Sequence, residues 1–546
     1  MKTGILILIC LLPAVSFSQN KLSYRFSMDT SNALLHVSLQ FTGTDAGTTK
    51  LKLPDEWAGR TELYRAITSL TVSGKNAVIV PGQDSAVCMI THAPHAKLTV
   101  NYTLKQDFTD KLSYPLNFRA VISKNYFQCT GYSLLIRPET MDPGKIKISL
   151  NWSEMPSNWT IGNSFHATGR SFKGSVSMGN LDNAVFVAGD FRSYKTTISG
   201  KPVYVAIRGN NWTFEDSMLV NRIQKIITME RRFWNDFSEP YYFVSLIPFD
   251  SDGGGYNGTA LHQSFMLAMD KTIDFGMSLN ILIAHEYFHR WNGTLIVLKE
   301  DTEQENSWFS EGFTEYYTYK LLFESGILSQ EAYLAKANSI IAAYYLSPVR
   351  NEDKTTLGKN FWNGRDYTQI HYNKGFVYAL LTDDLIRTHS EDKKYTLNDV
   401  MFDLWKQRSK KDTLSENDFI ETVSRYAGTN IANEYRNYIV NGETIPVFGQ
   451  SMGEHLRVED QSLGAFDVGF DLKASSNSDH IIGTDPESEA YKAGLRDGQT
   501  IRGWSIYGGD ISMPAEVTVM ENGEEKTIIY KPMSKERVTV PQLVAN

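Results

Sequence analysis

The sequence predicts a multidomain α+β protein: an N-terminal antiparallel β domain, an α-rich middle domain and a small C-terminal β-rich module. Three observations predict it. The chain has 546 residues, more than one hydrophobic core usually organises, since single cores stop growing at about 250–300 residues. Hydrophobic spacing changes along the chain, from strand-like alternation before residue 205 to helical periodicity after residue 215, and the helical patterns stop near residue 445. The content of 42% hydrophobic, 21% charged and 12% aromatic residues is that of a packed globular protein and excludes a chain dominated by disorder.

The elements follow in order. Residues 1–18 read as a secretory signal peptide: Lys2 precedes an apolar run from Ile5 to Phe17, and small residues at Ser16 and Ser18 flank a cut before Gln19. The run is too short for a membrane anchor, and no later stretch approaches the roughly 20 apolar residues of a spanning helix. The mature chain is therefore expected to be exported, periplasmic or extracellular, with no membrane span. Residues 19–205 form the expected β domain, with Leu35, Val37, Leu39, Phe41 and Ile146, Ile148, Leu150, Trp152 alternating with other residues. Cys88 and Cys129 are the cysteines that survive cleavage, and they form either one disulfide or two buried thiols. The net charge of −8 is spread along the chain, which gives no reason to expect a nucleic-acid partner.

Residues 206–446 carry helical patterns at 215–240, 332–345, 375–387, 397–405 and 419–426, with a short apolar strand at 242–247 leading into Gly253, Gly254 and Gly255. Residues 447–546 have one short helical piece at 488–493 and a hairpin signal at Asn522-Gly523.

The candidate chemistry lies in the middle domain. His285-Glu286-Tyr287-Phe288-His289 places two histidines four apart in the helix-compatible stretch 278–291. On a helix, positions i and i+4 lie on one face about 5–6 Å apart, so both imidazoles can meet one ion. Glu286 is rotated about 100° away, which keeps it off the ion but lets it reach water there. A hydrolytic zinc site takes three protein ligands, and the helical stretch around Trp308-Phe309-Ser310-Glu311-Gly312 supplies Glu311 as the third. Glu315, one turn on, is expected beside the ligands or in solvent. Tyr372, before an apolar helix, is a candidate donor to an oxyanion, although most of the 28 tyrosines belong to core or surface. His371 is read as non-ligating.

His285-Glu286-x-x-His289-x-Trp291-Asn292, Trp308-Phe309-Ser310-Glu311-Gly312-Phe313 and Tyr372-x-Lys374-Gly375 together resemble the glycyl aminopeptidase family of zinc metallopeptidases, relatives of aminopeptidase N. The stretch 438–446 is similar to the end of that family's catalytic domain, and the tail around 490–501 resembles a PDZ domain. The resemblance implies a thermolysin-like fold for 206–446 and one zinc ion (Zn2+) on His285, His289 and Glu311. It also implies Glu286 as base, Tyr372 as oxyanion donor, and a peptide or protein as substrate.

Two departures accompany it. Relatives bind the substrate's free α-amine through a glutamate at a glycine-rich strand entry, where this sequence has Gly254-Gly255-Tyr256-Asn257. A neutral amide holds an ammonium less strongly than a carboxylate, which argues against strict aminopeptidase specificity unless Asp250 or Asp252 compensates. Gly254 and Gly255 let an extended substrate approach an edge strand, and with Asn257 they are the expected substrate contacts. In the tail, the segment between residue 506 and the final hairpin is too short and too glycine-rich for the second PDZ helix, although Val468-Gly469-Phe470 resembles a carboxylate-binding turn. A packing role is expected there. The reading is an aminopeptidase-like hydrolase; its alternatives are an endopeptidase and a non-catalytic peptide-binding protein on the same scaffold.

Overall fold

The computed structural model describes residues 21–113, 115–139, 144–165, 169–249, 255–273, 276–299, 301, 304–390, 394–411, 413–448, 456–506, 511, 513–521 and 523–545. The signal-peptide segment, Asp250, Asp252 and Gly254 lie outside them. The chain divides into two compact units, one of residues 1–224 and 237–275, the other of residues 225–236 and 276–546. No described helix is long and apolar enough to cross a membrane.

The first unit is built of sheets. Lys21–Asp29 and Leu34–Thr42 lie inside a six-stranded sheet with Lys97–Leu104, Ile67–Ser73, Ile146–Glu154 and Ser171–Val176. Their burial alternates as their sequences do, so Leu35, Val37, Leu39 and Phe41 face one core while His36, Ser38 and Gln40 face out. The pairings are antiparallel except for Lys21–Asp29 on Ile146–Glu154, which run parallel. Trp152 stacks on Phe26 at a centroid distance of 3.8 Å in that core. Two four-stranded sheets complete this part. Cys88 and Cys129 sit on strands of different sheets, both buried and both free thiols, which settles the alternative in favour of no disulfide.

A five-stranded sheet closes the unit in the order Arg192–Ile198, Lys201–Ile207, Tyr242–Pro248, Ser264–Met269, Tyr256–Leu261. It draws strands from both sides of residue 205. Its three middle strands run parallel, and Tyr242–Pro248 is buried on both faces almost throughout, which explains its unbroken apolar sequence.

The second unit is mostly helical. Met277–Phe288, Gly312–Glu324, Gln330–Leu346, Arg365–His389, Leu397–Arg408 and Glu416–Ala427 are its principal helices. Start signals account for three of them: Ser329, Thr396 and Ser415 cap the helices that follow through their side-chain oxygens. Two helices differ from expectation. Arg365–His389 begins ten residues before the apolar pattern, so Tyr372 lies inside the helix rather than ahead of it. The expected single helix around Glu311 is two, Ser307–Ser310 and Gly312–Glu324, with Glu311 at the junction.

The C-terminal strands Leu456–Phe466 and Met533–Ala545 pair with each other, and Ile501–Ser505, Ala515–Glu521 and Glu524–Tyr530 form a second small sheet. The last two of these pair antiparallel with Glu521 opposite Glu524, where a hairpin is expected; Asn522 lies outside the described residues. Asn338 on helix Gln330–Leu346 receives the Leu543 amide at 2.7 Å and donates to the Leu543 carbonyl at 2.8 Å, tying the last strand to the helical part. After Val468-Gly469-Phe470 the chain enters a helix, Leu472–Ser478, which the sequence did not suggest. The Gly469 amide donates to the Asp467 carboxylate at 2.7 Å.

Candidate metal centre

Three ligand atoms converge. His285 Nε2 is 3.2 Å from Glu311 Oε2, His289 Nε2 is 3.3 Å from the same oxygen, and the two Nε2 atoms are 3.1 Å apart. Zinc bonds of about 2.0–2.1 Å at tetrahedral angles place ligand atoms roughly 3.3–3.4 Å from one another. The triangle has nearly that size, so two imidazoles and a carboxylate fit one zinc ion. Among the described residues this is the group of histidine, cysteine and acidic side chains close enough to share an ion; His371 is not part of it. His371 Nε2 instead lies 3.3 Å from the Leu357 carbonyl, and burial lowers its pKa to about 4, so it stays neutral.

Each histidine is aimed by its other nitrogen. His285 Nδ1 meets Glu315 Oε2 at 2.9 Å, and the Tyr319 hydroxyl donates to Glu315 Oε1 at 2.9 Å. His289 Nδ1 meets the Asn292 carbonyl at 3.1 Å. Acceptors at both Nδ1 atoms put the proton there and leave both Nε2 lone pairs facing Glu311. Asn292 also donates its amide to the Phe309 carbonyl at 2.9 Å, the Ser310 carbonyl at 3.2 Å and Thr314 Oγ1 at 3.1 Å. One residue therefore fastens the His289 turn to the segment that carries Glu311. Trp291 anchors the same turn, its indole donating to Asp236 Oδ2 at 3.0 Å.

The electrostatics follow from the crowding. Burial would lower the His285 pKa, but Glu311 and Glu315 outweigh it and hold the imidazole well above its ordinary value. His289 is raised in the same way, chiefly by Glu311. Burial would raise Glu311, yet the facing imidazoles keep its carboxyl well below the usual carboxylate range. In the metal-free protein protons take the place of the ion's charge. Tyr372 lies over this group, its ring 5.8 Å from that of His285. Burial, and then the charges of Glu311 and Glu286, push its phenol well above 10. Glu286 is half-buried on the histidine helix, and its charge bears on both His289 and Tyr372.

Helix contact makes the convergence. Gly312 packs on Gly375 so closely that a Cβ at Gly312 would lie 2.3 Å from Gly375 Cα, and a Cβ at Gly375 would lie 1.9 Å from the Trp308 carbonyl oxygen. The structure thus brings together His285, Glu286, His289, Glu311 and Tyr372. Of the expected substrate contacts, Gly255 and Asn257 belong to the other unit. Gly255 accepts the Asp270 amide at 2.8 Å, and Asn257, on strand Tyr256–Leu261, accepts from the Asn117 side chain at 2.8 Å. Sequence reasoning missed the fastening role of Asn292 and the Gly312–Gly375 crossing. The signal for the second was available in two glycines inside otherwise helical, apolar stretches, which often mark close backbone approach.

Residues 278–375 match a family model described as M61 glycyl aminopeptidase. Among solved structures, the chain is similar to an aminopeptidase N family protein from Idiomarina loihiensis, 17% identical over 96% of this chain and 98% of that one, with a TM-score of 0.72. It is also similar to an M1 zinc metallopeptidase from Deinococcus radiodurans, 12% identical over 79% of this chain and 95% of that one, with a TM-score of 0.50. At these identities the likeness is one of fold. No curated protein matches by sequence. The segment that matches that family model carries both histidines, Glu311 and Tyr372.

Proposed function

We propose that the protein is an exported, aminopeptidase-like hydrolase of peptide bonds that holds one zinc ion on His285, His289 and Glu311. The observation that carries this reading is the triangle of ligand atoms, 3.1–3.3 Å on each edge, with Glu286 and Tyr372 bearing on the same spot. When bound, zinc supplies positive charge that polarises a carbonyl and makes water more acidic. Glu286 then acts as general base: its carboxylate takes a proton from the attacking water and gives it to the amide nitrogen as the carbon–nitrogen bond breaks. The Tyr372 hydroxyl, kept protonated by burial and by the acids around it, donates to the carbonyl oxygen as charge gathers there. Glu315 and Asn292 hold the imidazoles to their task.

In this reading residues 1–18 are the signal peptide, 19–205 the β domain, 206–446 a thermolysin-like domain that carries the chemistry, and 447–546 a packing module. Support for the last is that the Gly469 amide is already taken by Asp467 and that a helix follows it. A second reading, an endopeptidase on the same scaffold, is favoured by the neutral Asn257, already engaged by Asn117. Comparing cleavage of free and N-acetylated peptides separates the two. The test of the main reading is metal analysis with a peptide-library digest of wild type and Glu286→Gln. Zinc in both and cleavage by wild type alone is expected; equal cleavage by the variant refutes the mechanism.

A further inference from the structure

The helix Gly312–Glu324, which follows Glu311, and the helix Arg365–His389, which carries Tyr372, meet along matched stripes. Residues 312, 316 and 320 on one and 375, 379 and 383 on the other are spaced by four and so share a face. At the near end the stripes touch through Gly312 and Gly375. At the far end, eight residues or about 12 Å along, lies a buried carboxylate, Asp383, with 0% exposure. Its Oδ2 accepts from the Tyr316 hydroxyl at 3.0 Å and from Arg387 Nε at 3.0 Å, and lies 3.9 Å from Lys320 Nζ. Its Oδ1 accepts the Leu397 amide at 2.6 Å, in the first turn of helix Leu397–Arg408. Lys320, itself buried, donates to Asn398 Oδ1 at 3.2 Å on that same helix.

A glycine crossing permits close approach but does not resist sliding, because it offers no directional bond. The clamp at the other end does resist it. A slip of one residue moves a helix by about 1.5 Å, which would carry Asp383 away from the Tyr316 hydroxyl and Lys320 on the facing helix and leave its buried charge with fewer partners, an unfavourable state. Asp383 stands eleven residues, three turns, beyond Tyr372 on the same helix.

We propose that Asp383, with Tyr316 and Lys320, sets the axial register of the two helices and so places the Tyr372 hydroxyl against Glu311. These are positioning residues, remote from substrate, and the proposal rests on the role given to Tyr372 under the proposed function. The buried polar cluster serves register, the best-attested use of such groups.

The experiment is a double-mutant cycle with a distance measurement. Asp383→Asn should keep its zinc content and zinc affinity, lose kcat by roughly 10- to 100-fold with little change in KM, as angstrom-scale misplacement does, and add nothing on a Tyr372→Phe background. A multiplied loss on that background, or an unchanged kcat, overturns the proposal. Where Asp383→Asn does not fold, Tyr316→Phe removes a single donor and carries the same cycle. Spin labels on cysteines at the exposed positions Glu324 and Arg365 should report a change of about 1–2 Å, one helical step. An unchanged distance overturns the register role by itself. Should Tyr372→Phe leave kcat intact, the Tyr372 reading fails, and the distance alone decides the clamp.

Discussion

Replacing Gly375 by alanine would put a methyl carbon 1.9 Å from the Trp308 carbonyl oxygen and 2.7 Å from Gly312 Cα. Carbon–oxygen contacts tolerate no less than about 3.3 Å, so the two helices must separate by about 1.4 Å at this point. The obstacle is backbone on both sides and cannot rotate away. Trp308 is three residues from Glu311, and Gly375 three from Tyr372, so the separation falls on the ligand and the oxyanion donor almost undiminished. Overpacking of this kind costs about 1–3 kcal/mol, and alanine's better helix propensity returns about 1 kcal/mol of it, leaving a modest loss of stability. The functional loss should be larger, roughly 100-fold in kcat for a misplacement near 1 Å, together with weaker zinc binding. Gly179→Ala, in the short helix Met178–Asp182 and with nothing within 4 Å of the added carbon, is the control and should leave turnover unchanged and stability equal or slightly higher. Thermal unfolding, zinc titration and peptide turnover read all three quantities. A Gly375→Ala protein with wild-type zinc affinity and wild-type kcat would refute the argument that this crossing builds the site.

Asn292→Ala removes three hydrogen bonds to the Glu311 segment and should weaken zinc binding by roughly 10- to 100-fold, as measured by competition with a chromogenic chelator; unchanged affinity would argue against the fastening role. Because the metal-free His285 and His289 are raised above their ordinary 6.5, their protonation stabilises the metal-free fold fully below 6.5, and that contribution is lost as pH rises through the raised values. Zinc needs both imidazoles neutral, so the rise in Tm caused by zinc should grow with pH across that window, and calorimetry in buffers of different ionisation enthalpy should detect proton release on binding. A zinc effect independent of pH would contradict this. Cys88 and Cys129 are free and buried, and burial raises both thiols. They should react with a thiol reagent only on unfolding, and mobility on non-reducing gels should equal that on reducing gels.

Most of the α+β plan was legible because burial follows period. Leu35, Val37, Leu39 and Phe41 alternate in sequence and are buried in the structure, and the histidine pair one turn apart can serve one ion only on a helix. Less legible was anything decided by contact between distant segments. The break at Glu311 is hard to read locally because Trp308 to Tyr317 contains no proline, and Gly312, which directly follows the break, is the one residue of poor helix propensity that marks it. The start of the Tyr372 helix is hidden in the sequence because residues 365–374, apart from Ile370, are polar or aromatic and show no apolar periodicity, although Ile370, His371, Asn373 and Lys374 are buried in the structure.

By itself, then, the sequence determined the kinds of groups and their local geometry: two imidazoles on one helical face, an acid between them, a carboxylate shortly after a Trp-Phe pair. Tertiary structure alone decided that Glu311 reaches the imidazoles, that Glu315 and Asn292 orient them, that Tyr372 lies over His285, and that the two cysteines stay apart. The physical reason is one of range. Helical and strand periodicity is written within a few residues, whereas the helices that carry Glu311 and Tyr372 meet through contacts such as Gly312 on Gly375 and Tyr316 on Asp383, between residues more than sixty apart in the chain.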